Sequence, residues 1–115
     1  MTAAAPLGER IPAADLARLR KGLMARGQAI ATKLAALLAS PDPMSIVRAL
    51  GLDLKPGARP EEILRLALDQ VDGLRKLIDA GDDRYGRCRA CGVDLGLPAL
   101  GEVPWADACH AHARG

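Results

Sequence analysis

The sequence predicts a mostly α-helical protein: an antiparallel helical hairpin of coiled-coil type, followed by a small C-terminal module. Three observations predict it. Half of the 115 residues are hydrophobic, yet there is no Phe, one Trp and one Tyr, so Ala and Leu carry the apolar content and favour helix over sheet. Leu, Ile and Val recur every seven residues in two long stretches. All three cysteines and both histidines crowd between Cys88 and His112.

Residues 1–11 read as a flexible tail, and residues 12–81 as a helical hairpin or small helical bundle. Pro12 suits the first turn of a helix, where its missing N–H costs nothing. From there to Ala39, Leu16, Leu23, Ile30 and Leu37 form a stripe that Leu19 and Leu34 widen. Arg26 and Lys33 interrupt the seam. Gly22 and Gly27 each cost about 1 kcal/mol against Ala inside a helix and leave room for a kink there. Pro41 and Pro43 end this helix, and Asp42 is placed to cap a short one through Ile46, Val47 and Leu50. A Gly- and Pro-rich loop, "GLDLKPGARP", follows. The second long helix opens at Pro60, with Glu61 and Glu62 at its positive end. It carries Leu64, Val71 and Ile78 at the seven-residue spacing, Ala67 and Leu74 between them, and Gly81 as its stop. The two stripes are expected to bury each other.

Residues 82–115 are too few to hold together by burial alone. Cys88 and Cys91 stand two residues apart with Gly92 directly after them. Cys109 and His112 repeat the gap after 17 intervening residues. Two such knuckles at this separation have the spacing of a tetrahedral structural zinc site. Soft thiolates plus one imidazole suit Zn²⁺, and four protein ligands leave no position for an activated water. His110 is the other candidate for the fourth ligand; His112 is preferred because it reproduces the two-residue gap. A redox pair at Cys88 and Cys91 would want a βαβ context, which this chain lacks. Arg84, Arg87 and Arg89 flank the first knuckle and are expected to offset the negative charge of a three-thiolate site. Tyr85 and Trp105 are expected to form its small apolar core.

Composition narrows the classes further. A net charge of +2 does not by itself imply nucleic-acid binding, although Arg10, Arg18, Arg20, Lys21, Arg26 and Lys33 outnumber Glu9 and Asp15 in the first 40 residues. An odd number of cysteines argues against a secreted disulfide framework. "MTAAAPLGER" lacks the basic and apolar regions of a signal peptide, and no apolar run approaches the ~20 residues that span a bilayer. The expectation is a cytoplasmic protein that is not an enzyme, since the chain offers no carboxylate pair, nucleophile–base constellation or phosphate-binding glycine loop.

The run "YGRCRACGVDLGLPALGEVPWADACHAH" resembles the zinc finger of the DksA/TraR family of bacterial RNA-polymerase-binding regulators. The resemblance covers Tyr85-Gly86, Cys88-x-x-Cys91-Gly92-Val93, Leu95, Leu97, Leu100, Pro104, Ala106 and Cys109 with its partner three residues on. It implies that the hairpin enters the polymerase secondary channel, with acidic residues at the tip acting near the catalytic centre. Asp42 and Ser45 fall at the tip, Ser45 standing where the family has a second carboxylate and Val47 where it has Ala. His112 replaces the usual fourth Cys. Asp53, in the following loop, is the other exposed acidic candidate. The resemblance therefore implies one structural Zn²⁺, RNA polymerase as partner and transcription regulation, with neither sequence-specific DNA binding nor a membrane. A zinc-stabilised protein-interaction module without a polymerase role is the alternative.

Overall fold

The computed structural model describes residues 7–52 and 57–112, apart from the side chain of Leu38. Helices α1 (Leu7–Arg10), α2 (Ala13–Ala36), α3 (Pro43–Ala49), α4 (Pro60–Ala80) and α5 (Leu97–Glu102) follow in order, with a single 3₁₀ turn at Leu37–Ala39. There is no strand among the described residues, only an isolated antiparallel bridge between Arg87 and Asp94. No helix among them is long and apolar enough to cross a membrane.

The long helices α2 and α4 lie side by side and run in opposite directions. Arg20, early in α2, pairs with Asp79 near the end of α4 at 2.6 Å, while Leu34 and Leu37 at the far end meet Glu61 and Arg65. Their shared core holds Leu19, Leu23, Ile30, Leu37, Leu64, Ala67, Val71 and Leu74, with Leu16 and Ile78 half-buried at its margins. These are the seven-residue stripes read from the sequence. Helix α4 opens with Pro60 and two glutamates and closes on Gly81 in the left-handed region at φ 67°, which lets the Gly81 and Asp82 amides reach back to Ile78 and Leu77.

The two long helices do not meet in a simple turn. Asp42 caps α3 by accepting from the Ser45 amide at 3.4 Å, and α3 then lies back along the pair. Val47 is fully buried, Leu50 and Leu52 pack against the core, and Arg26, in the middle of α2, donates to the Leu50 carbonyl at 2.5 Å. Asp53 lies outside the described residues.

One expectation is corrected. Residues 7–11 are not tail: Leu7 and Ile11 are 1% and 3% exposed. Arg10 donates to Asp83 Oδ1 at 3.0 Å and to the Tyr85 carbonyl at 2.5 Å. An isolated four-residue helix is too short to persist alone, so α1 exists through this long-range docking, which local pattern cannot show. Helix α2 also runs uninterrupted past Gly22 and Gly27. A Cβ on Gly22 would come within 2.8 Å of Pro104 Cγ in the C-terminal segment, so that glycine marks a close approach.

The two glycines separate the effects of propensity and contact. A Cβ at Gly27 would sit 3.5 Å from Val71 Cγ1, an ordinary contact, so Gly27→Ala should stabilise the protein by up to about 1 kcal/mol. Gly22→Ala should lose that gain, and more, to the clash with the Pro104 ring. Thermal melts of both variants check this; equal stabilisation by the two would show that Pro104 does not press on α2.

Candidate metal centre

The C-terminal segment is built from two tight turns and α5. At the first, the Cys88 amide donates to the Val93 carbonyl at 2.9 Å and the Gly92 amide returns to the Cys88 carbonyl at 2.8 Å. Gly92, at φ 77°, supplies the left-handed residue that this reversal needs. At the second, the His112 amide donates to the Cys109 carbonyl at 2.9 Å, and the Arg89 amide ties the two turns together by donating to the Asp107 carbonyl at 2.8 Å. Between them, α5 buries Leu100 against fully buried Tyr85, whose hydroxyl donates to the Pro104 carbonyl at 2.8 Å. Burial pushes the Tyr85 phenol up to about 12, so it stays a hydrogen-bond donor.

The turns bring Cys88, Cys91, Cys109 and His112 to one place, with all four ligand atoms within 4.8 Å of one another. Cys91 and Cys109 sulfurs are 3.7 Å apart. His112 presents Nδ1, at 3.1 Å from the Cys109 sulfur and 3.7 Å from that of Cys88. A tetrahedral ion with bonds of about 2.0–2.3 Å requires ligand edges of about 3.3–3.8 Å. The two 3.7 Å separations fall in that range, the 3.1 Å pair is slightly short and the widest spread reaches toward 4.8 Å, so the cluster is compatible with one metal ion after small side-chain adjustments. His110 is exposed and outside the cluster, and none of the three cysteines forms a disulfide.

Proton affinities in the cluster are divided. The Cys109 backbone N–H aimed at Cys88, helped by the Cys91 and Ala90 amides, pulls the Cys88 thiol down to about 6 against the effect of burial. His112 beside it lowers the Cys109 thiol, and the same contact raises His112. At Cys91 the Val93 amide favours the thiolate, but burial and the sulfurs of Cys88 and Cys109 outweigh it and the thiol is raised. The cluster thus holds part of its protons until a cation displaces them.

The flanking arginines do not serve this site as expected. Arg84 pairs with Asp82 at 2.8 Å, Arg87 with Asp83 at 3.0 Å and Arg89 with Asp107 at 2.7 Å. Arg84 holds the Asp82 carboxyl down at about 2. Burial pushes the Asp83 carboxyl up, but Arg10 and Arg87 outweigh it and keep it below its usual range. What favours the Cys88 thiolate is the backbone of the turns, while the arginines brace the loops that carry them.

Docking onto the helices uses residues whose role the sequence did not disclose. Gln70 donates to the Trp105 carbonyl at 3.1 Å and to Asp107 Oδ2 at 3.0 Å. Trp105 packs half-buried against the core that holds Tyr85 and Leu100, and its ring also carries the Arg26 guanidinium 4.4 Å from its centroid. The one advance signal was Arg26 breaking an apolar stripe. Asp42 and Ser45 are not brought to the metal site. Both are exposed, and they lie at the opposite end of the α2–α4 pair, where the Ser45 hydroxyl donates to the Asp42 carbonyl at 2.7 Å.

The protein should bind one metal ion, read with Co²⁺ as a spectroscopic probe. His110→Ala should leave binding unchanged, whereas His112→Ala or Cys88→Ser should weaken it at least about tenfold; the reverse order for the two histidines would reassign the fourth ligand. Because Cys91 and His112 are raised above their ordinary values while Cys88 is lowered to about 6, protons compete for Cys91 and His112 before they compete for Cys88, so affinity should fall steadily as pH drops from about 8 to about 5. Constant affinity from pH 7 to 5 would exclude this ligand set.

No family model, curated protein or solved structure matches the chain, so the ligand geometry stands on this chain's own residues.

Proposed function

We propose that the chain is a transcription regulator of the DksA/TraR kind, acting on bacterial RNA polymerase through a helical hairpin stapled by one structural Zn²⁺. The convergence of Cys88, Cys91, Cys109 and His112 carries the reading, because the run that resembles the family's zinc finger is the run that forms this cluster. Zinc fits a donor set of three thiolates and one imidazole, and four protein ligands complete its tetrahedron, so its contribution is to folding. The antiparallel α2–α4 pair is the hairpin body. Asp42 and Ser45, exposed at the end remote from the finger, are the residues we assign to the tip. Cysteines without disulfides suit the reducing cytoplasm in which the polymerase works.

A second reading, a zinc-stabilised protein-interaction module, is favoured by one observation. Helix α3 lies back on the pair, with Val47 buried, which makes the end of the molecule blunter than a bare hairpin.

The two readings part on charge at position 42. Asp42→Asn keeps a side chain that caps α3 equally well and removes only the carboxylate. It should leave co-migration with purified polymerase unchanged and weaken the effect on initiation, and Ser45→Asp should strengthen that effect. A protein that neither co-migrates with the polymerase nor alters initiation at any tested promoter is the interaction module.

A further inference from the structure

One side chain touches both the C-terminal segment and α3. Arg26 rises from the middle of α2, places its guanidinium 4.4 Å over the Trp105 ring, and donates from Nη2 at 2.5 Å to the carbonyl of Leu50, the residue that ends α3. Its Nε is buried and has no hydrogen-bond partner among the described residues. Burial pushes its pKa down, so the cation sits there at a cost that these two contacts offset.

Both ends of the arrangement depend on something further away. Trp105 is held by its neighbours: the Pro104 carbonyl accepts from Tyr85 and its own carbonyl from Gln70. The Asp107 carbonyl accepts from the amide of Arg89, inside the first cysteine turn. Cys109 anchors the same loop four residues on. At the other end, α3 has seven residues, too few to persist without docking, and leaves through Gly51 at φ 71°.

We propose that Arg26 is a latch through which occupancy of the metal centre sets the position of α3. With the four ligands drawn together, the 103–109 loop presents Trp105, Arg26 lies on it, and its Nη2 pins the end of α3. Without the ion, the 103–109 loop loses its anchor at Cys109 and keeps only the Tyr85 and Gln70 contacts, the Trp105 ring is held less firmly, the guanidinium follows water, and α3 is released with Val47, Leu50 and Leu52. The inference rests on the metal reading of the cluster and adds a destination for its effect.

Hydrogen exchange tests it on the full chain, because the amides of Leu50, Gly51 and Leu52 donate to the carbonyls of Ile46, Arg48 and Val47. Bound metal is counted in the same samples. Chelation should speed exchange of these three amides at least about thirtyfold in the native chain, the lower end of losing one charged hydrogen bond and one cation–π contact. In Arg26→Met they should be fast already and indifferent to chelation, with metal still bound. Trp105→Leu, which keeps Arg26 but removes its platform, should behave the same way. Equal exchange with and without metal in a chain shown to bind one ion overturns the latch and leaves the metal reading standing. A full response in Arg26→Met also overturns it, by showing that α3 loosens through general destabilisation. A native chain that binds no ion overturns both.

Discussion

In the segment after Gly81, three sulfurs and one imidazole nitrogen lie within 4.8 Å of one another, and this convergence organises its two turns. The segment has Tyr85, Leu100 and little else that is fully buried. So few apolar side chains cannot offset the conformational entropy of ordering about 30 residues, at roughly 1–2 kcal/mol each for the backbone. A cation held by the four ligands, as we propose, would supply the missing term. That requirement explains the local details: a left-handed glycine after the first cysteine pair, amides turned toward a sulfur, and a hydrogen bond from Arg89 to Asp107 that fixes one turn against the other.

The same segment is not an appendage on a tether. Pro104 enters the side of α2 where Gly22 leaves room, Gln70 on α4 takes hold of Trp105 and Asp107, and Arg10 reaches in from the N-terminal side to Asp83 and Tyr85. Helices, loop and cysteine turns share one core. The metal site and the helical pair therefore support each other mechanically, although the ligands come from the C-terminal segment alone.

The sequence disclosed what is periodic or local. The apolar stripes of α2 and α4, the cap at Asp42, the stop at Gly81 and the paired two-residue gaps of the ligands are each set by neighbours within a few positions. It hid what depends on distance along the chain. Gly22 read as room for a bend because propensity sees only its own helix, while the reason for that glycine lies 82 residues away at Pro104. Trp105 looked like core alone because nothing nearby announces Arg26 as its partner. Leu7 and Ile11 looked like tail because two apolar residues in a polar stretch have no period. The arginines beside the first knuckle looked like counter-charges for thiolates because their carboxylate partners are only recognisable once the loops are closed.

Arg10 and Asp83 are 73 residues apart, and this separation bears on the order of events during synthesis. At about 5–20 residues per second, Arg10 is incorporated roughly 4–15 s before Asp83. In that interval Leu7 and Ile11 have no surface to cover, and α2 has made only part of its seam with α4. The closing contacts are among the most non-local in the molecule, the kind that slow folding because loop-closure entropy is spent before they form. The contacts of Leu7–Ile11 with the Asp83–Tyr85 segment can therefore close only after that segment is made.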